Sequence, residues 1–125
     1  MALSIRIDER HSFAKTIQLT GRLDDATAAE LDVELDRLLE APVKALVFDL
    51  GGLEYTTSAG LRVFMRAQKS MSERVGKVLF VNVTAPVQKV FDIAKAVNFA
   101  TVFRNVRELD EYLDAMQKKV QEESR

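Results

Sequence analysis

The densest run of reactive side chains is Asp49-Leu50-Gly51-Gly52-Leu53-Glu54-Tyr55-Thr56-Thr57-Ser58-Ala59-Gly60-Leu61. Three consecutive hydroxyls can accept a phosphoryl group, attack a carbonyl, or cap a helix by accepting from its free first-turn amides. Attack on a carbonyl lacks its usual frame. Ser58 is not in a Gly-x-Ser-x-Gly elbow, because Thr56 stands where the first glycine would be. Gly51, Gly52 and Gly60 do not make a phosphate-cradling nucleotide loop, since no lysine follows Gly60. Asp24, Asp25 and Asp49 could form an acid cluster, but each stands beside an expected helix start or strand end, where capping is the simpler use. His11 has no cysteine to activate and no serine motif that points to it. A capped helix and a presented hydroxyl are both compatible with this stretch.

Composition narrows the classes. The 125 residues suit one domain, with 47% hydrophobic and 30% charged residues. Eighteen basic residues against 19 acidic ones give a net charge of −1, which argues against nucleic acid as a partner. The absence of cysteine excludes disulfides and thiolate chemistry, and a single histidine excludes a histidine-rich metal site. No apolar run approaches the roughly 20 residues that cross a bilayer, so no direct membrane insertion is expected. The first residues, Met1-Ala2-Leu3-Ser4-Ile5-Arg6, lack a signal-peptide core. A cytoplasmic location is the expectation.

The elements around the hydroxyls follow from periodicity. Leu3, Ile5 and Ile7 alternate as a half-buried strand, followed by a turn at Glu9–Ser12 that carries His11. Phe13 to Leu19 alternates again, and Thr20-Gly21 should end it. A polar loop, Arg22–Thr27, then leads to a helix carrying Ala28, Leu31, Leu35, Leu38 and Leu39, with Asp24, Asp25 or Thr27 as its cap. Pro42 separates it from a buried strand, Val43–Asp49. The helix after Ser58 should bury Leu61, Phe64, Met65 and Met71 and show Arg62, Arg66 and Lys69 on one outer face. Gly76 ends that helix. A strand over Lys77–Val83 and a helix opened by Thr84-Ala85-Pro86 follow, the latter burying Val87, Val90, Phe91 and Ala94. Thr101–Phe103 reads as a short edge strand, and Asn105–Glu108 as a capping box for a last helix with Leu109, Leu113, Met116 and Val120 inward. The order argues for an α/β domain over residues 1–120: a mixed open sheet of four to five strands, about four helices, and a frayed tail at 121–125.

Asp49-Leu50, Leu53 and Tyr55-Thr56-Thr57-Ser58-Ala59-Gly60-Leu61 together resemble the signature of the STAS domain, the family of anti-sigma factor antagonists. Gly21-Arg22-Leu23-Asp24-Asp25-Ala26-Thr27-Ala28 resembles that family's second characteristic loop, and Ala85-Pro86-Val87-Gln88-Lys89-Val90-Phe91 its short third helix. The matches come in the family's order and separations and cover nearly the whole chain.

The resemblance implies a non-enzymatic, cofactor-free switch. The unphosphorylated antagonist binds a serine kinase that doubles as an anti-sigma factor. Phosphorylation of one serine at the start of the second helix breaks that complex, and a PP2C-type, metal-dependent phosphatase restores it. By position the acceptor is Ser58, and the loop aspartate that meets the kinase is Asp24. The partner surface would comprise Asp24, Asp25, Thr27, Tyr55, Thr56, Thr57, Ser58, Gly60, Arg62 and Arg66, on a monomer or weak dimer. The best-known antagonists carry an aspartate where this chain has Thr57. That departure favours one other class, a STAS subunit of a phospholipid-type transport assembly that binds its ATPase, and a small hydrolase using Ser58 stays open beside it.

Overall fold

Once drawn out as a strand, the central apolar run splits its side chains by parity. Leu46, Phe48 and Leu50 enter one core with Ile17, Leu19 and Phe80, whereas Ala45 and Val47 enter a second with Ala14, Leu79 and Val81. A sheet with two apolar faces needs cover on both sides, and that requirement sets the architecture. The computed structural model describes residues 3–9, 11, 13–94, 101–103 and 105–123.

The elements run β1 (Leu3–Asp8), β2 (Ala14–Leu23), α1 (Asp25–Leu39), β3 (Ala45–Thr56), α2 (Ser58–Glu73), β4 (Lys77–Val81), α3 (Ala85–Ala94), β5 (Thr101–Phe103) and α4 (Val106–Glu123). They build a five-stranded mixed sheet in the order β1-β2-β3-β4-β5. The edge strand β1 is antiparallel to β2, and every other pair is parallel. The α/β class, the hairpin-like first strand and the element order are as the periodicity indicates.

Helices α1, α2 and α3 cover the first face with Leu31, Leu35, Leu38, Leu61, Phe64, Val87 and Phe91. Helix α4 covers the second face with Leu109 and Leu113. At the centre of the first core Phe48, Phe64, Phe80 and Phe91 interlock. Phe48 and Phe64 stand edge to face with centroids 4.9 Å apart, and Phe80 meets Phe91 at 5.4 Å. Such pairs add to the area they bury.

Several boundaries depart from the expectations. Strand β2 does not end at Thr20-Gly21. It continues to Leu23 through a register shift, with Gly21 at φ 107°, a conformation that favours glycine. The expected polar loop therefore shrinks to Asp24. Strand β3 starts two residues later than expected and runs on past Asp49 to Thr56, because Gly52 and Leu53 still pair with β2. On α2, Met65 is 49% exposed, while Val63 and Ala67 are buried in its stead. The turn after α2 has Val75 rather than Gly76 in the left-handed region, at φ 57°. Gly76 is instead held by crowding: a Cβ there would lie 2.5 Å from Met71 Cε. Asn105 does cap α4, accepting from Glu108 N at 3.0 Å. Helix α4 extends to Glu123, so the expected frayed tail is helical over its first three residues. Arg10, Ser12, the last two residues and the side chains of Ala94 and Val120 lie outside the described residues.

Candidate functional site

Parallel pairing brings two chain junctions together. Arg22 is in register with Tyr55 and Leu23 with Thr56, so β2 and β3 end side by side and each hands over to a helix. Thr57 N donates to Leu23 O at 3.0 Å and closes the pair.

On the β2 side, Asp24 is the N-cap of α1. Its Oδ1 accepts from Ala26 N at 3.1 Å and Thr27 N at 3.0 Å, and Thr27 Oγ1 accepts from Asp24 N at 2.9 Å. This is a reciprocal capping box. The backbone amide of Thr27 and then its hydroxyl hold the Asp24 carboxyl below its usual value. The Thr27 hydroxyl also donates to Arg22 O at 3.0 Å. Asp25, the first helical residue, is exposed.

On the β3 side, Thr57 is the N-cap of α2 but makes no side-chain cap. Its Oγ1 instead donates to Asp25 Oδ1 at 3.3 Å. Ser58 is the first residue of α2, exposed, and its hydroxyl makes no hydrogen bond among the described residues. The first-turn amides of α2 have no intrahelical partners, and no side chain replaces them. The Tyr55 ring, 42% exposed, lies under the Arg22 guanidinium, whose carbon is 4.6 Å from its centroid.

The expected surface residues divide. Asp25, Tyr55, Ser58 and Arg62 are exposed, with Asp24 and Thr57 half-buried beside them. Thr27 and Thr56 are buried, at 7% and 2% exposure, and Gly60 is buried too. Thr56 Oγ1 donates to Thr57 O at 3.2 Å. A Cβ on Gly60 would sit 2.6 Å from Leu23 Cγ and collide with the Thr56 hydroxyl. The close approach that Gly60 permits is thus internal: α2 seats on the ends of β2 and β3. These three residues shape the rim and present no side chain on it.

The basic stripe does not survive as a stripe. Arg66 turns to α1, where its Nη2 donates to Asp32 Oδ1 at 2.7 Å and its Nη1 to Asp36 Oδ1 at 2.9 Å. The bond to Asp32 raises its pKa further. Arg62 and Lys69 remain exposed without a carboxylate partner among the described residues. Asp49 stands apart from the acids at the rim. It lies seven residues before Thr56 on an extended strand, about 20 Å away, where it accepts from Gly51 N and Asn82 Nδ2 at 3.0 and 3.2 Å. His11 is half-buried and stacks edge-on against Phe13 at 5.6 Å. Two relationships escaped the sequence, Arg22 over Tyr55 and Thr57 to Asp25. Both cross more than thirty residues, and only the strand register reveals them.

The STAS domain pattern matches residues 4–109. BtrV of Bordetella bronchiseptica, assigned as an anti-sigma factor antagonist, is 32% identical over 85 residues, spanning 68% of this chain and 71% of that protein. An anti-sigma factor antagonist from Mycobacterium paratuberculosis superposes with a TM-score of 0.78 at 18% identity, covering 93% of this chain and 95% of that one. The antagonist SpoIIAA superposes in its unphosphorylated form with a TM-score of 0.73 at 15% identity, over 91% of this chain and 98% of that one. In its phosphorylated form, from Bacillus, the values are 0.70 and 14%, over 87% and 99%. At such identities the superpositions speak for the fold.

Proposed function

Because this chain belongs to the STAS domain family, we propose that it is an anti-sigma factor antagonist whose binding to a serine-kinase anti-sigma factor is switched off by phosphorylation of Ser58 and restored by a PP2C-type phosphatase. The observation that carries this reading is Ser58 itself: an exposed hydroxyl opening a helix whose amides no side chain caps.

A phosphoryl group there adds roughly −1.5 to −2 charges at neutral pH. The free amides and positive end of α2 accommodate that charge, so the modified domain stays folded. Arg62, one turn further on and exposed, can reach it. The same charge stands beside the carboxylates of Asp24 and Asp25 and makes the rim a partner meets strongly acidic. A hydrolase would need a base and an oxyanion site arranged around Ser58. Asp25, a carboxylate on the same rim, is engaged by Thr57 instead. A non-enzymatic role is the one in keeping with the family.

Incubating the protein with its partner kinase and ATP, followed by peptide mass spectrometry, tests the assignment. Phosphate on Ser58 is expected, and it should persist in Thr57→Ala. Phosphate on Thr56 or Thr57 alone would overturn the assignment. Thr57 in place of an aspartate favours one second reading, a STAS subunit docked on a transport ATPase. A pull-down separates the two, because a kinase-type anti-sigma factor or a transport ATPase comes down with the protein.

A further inference from the structure

The rim opposite Ser58 carries a different feature. Parallel strands β3 and β4 begin there, with Lys44 and Lys77 at their entrances, joined by a hydrogen bond from Lys77 N to Lys44 O at 3.0 Å. Helix α4 passes over the same end of the sheet. Between them opens a pocket of about 500 Å³, lined by Lys44, Val75, Lys77, Tyr112, Met116 and Lys119, with Ala115 beside them. That volume falls in the range of small-molecule sites, about 300–1,000 Å³.

We propose that this pocket binds an amphipathic organic anion, a carboxylate on an apolar chain, such as a medium-chain fatty acid.

Three observations point the same way. The first is charge. Lys44, Lys77 and Lys119 ring the opening, and among the described residues no carboxylate lines it and none of the three lysines makes an ion pair. Elsewhere on this surface cations that approach a carboxylate pair with it, as Arg66 does with Asp32 and Arg37 with Glu34. The second is the lining between the lysines. Tyr112 and Met116 lie one turn apart on α4 and offer an apolar wall, Tyr112 being itself braced by Phe103 at 5.3 Å. Methionine adapts to irregular apolar shapes. The third is Val75. It is 87% exposed and held at φ 57°. That backbone closes α2, with Val75 N donating to Ser72 O at 3.1 Å and Gly76 N to Met71 O at 2.7 Å, and a β-branched residue is rare at such a helix stop. The turn thus holds an apolar side chain out in water at the edge of a cation-ringed pocket. An anion with an apolar tail satisfies both halves at once: the lysines take the head, and Val75, Tyr112 and Met116 take the chain.

The proposal is independent of the Ser58 switch. It is tested by titrating the isotope-labelled full chain with decanoate below its micelle threshold and following the NMR signals of Val75, Lys77, Tyr112 and Met116. Saturable shifts confined to these residues are expected. Decanol, which keeps the tail without the charge, and acetate, which keeps the charge without the tail, should each bind about tenfold or more weakly. Lys44→Glu combined with Lys119→Glu should lower decanoate affinity about tenfold at an unchanged melting temperature, and Val75→Asp should lower it with all three lysines intact and without loss of stability, since aspartate tolerates the left-handed backbone better than valine. The proposal is overturned if decanoate gives no saturable shift at these residues, if decanol binds as tightly, or if the protein instead sediments with phosphatidylglycerol vesicles and ignores decanoate.

Discussion

Thr57 donates its hydroxyl to Asp25 across 3.3 Å, and its own helix is left without a side-chain cap. The two helix starts on the rim are therefore treated unequally. Asp24 and Thr27 complete that of α1, while that of α2 is left open beside an exposed serine.

An open helix start tolerates charge, so Ser58→Ala and Ser58→Asp should both melt close to the unmodified protein. Phe64→Ala should cost about 3–5 kcal/mol, since the ring is fully buried within the phenylalanine cluster. Thermal melts of the three variants decide it. Unfolding of Ser58→Asp would mean that a charge at this position is not accommodated locally.

Gly60→Ala tests whether this glycine serves the seat of α2. The added methyl meets Leu23, which is fully buried and has nowhere to move. Overpacking of this kind costs about 1–3 kcal/mol, more than the roughly 1 kcal/mol that alanine gains over glycine within a helix. Urea denaturation should show a net loss, and a gain would show that the rim relaxes around the methyl.

Acid should reveal the Asp24 cap. Its carboxyl titrates below the ordinary value of 3.8 in the folded chain. A depressed folded pKa contributes stability that is present above the unfolded value and lost as pH falls through the folded one. Asp24→Asn retains a neutral cap, so the stability difference between it and the native sequence should be present at pH 7 and shrink below about pH 3.8. A difference that stays constant down to pH 2 would show that the charge of Asp24 contributes nothing.

Partner binding is best probed at Asp25 rather than Asp24, whose replacement would also remove a cap. Asp25→Lys should weaken binding to the kinase or ATPase partner about tenfold or more, on the scale of an interfacial charge contact. Tyr55→Ala should weaken it as well by removing the platform under Arg22. Arg107→Ala, exposed on α4 across the sheet, should leave affinity unchanged. Calorimetric titration with the purified partner reads all three, and unchanged affinity for both Asp25→Lys and Tyr55→Ala would place the interface elsewhere.

The fold was largely legible because its signals are local. The apolar run Ala45–Phe48, the helical spacing of Leu31, Leu35 and Leu38, and the asparagine before Glu108 each state their element within a dozen residues. Gly51-Gly52 misled, because glycine pairs read as loops. Gly52 lies in a strand, where the Thr20 side chain of the neighbouring strand occupies the place a Cβ would take, 2.7 Å from it. Met65 misled because it sits four residues after Leu61, while the buried arc of α2 is rotated towards Val63 and Ala67. At the site, the exposure of Ser58 follows from its place at a helix start. The partners of Arg66 do not follow from any pattern, since Asp32 and Asp36 lie some thirty residues away and meet it only when α1 packs on α2. Thr27, Thr56 and Gly60 belong to the loops that carry the rim, and three-dimensional packing alone distinguishes the residues that build it from those that face outward.

The two faces of the sheet also differ in when they are covered. The helices over the Phe48 face alternate with the strands, so each stretch of that core meets its cover as the chain lengthens. The Val47 face waits for α4, which follows all five strands. During synthesis Val47, Leu79 and Val81 can pair into a sheet before Leu109 and Leu113 exist, which leaves an apolar plane open to water. A nascent or truncated chain lacking α4 presents the kind of surface that chaperones and proteases recognise. Docking of α4 is therefore the step that closes the second core and takes that apolar plane out of water.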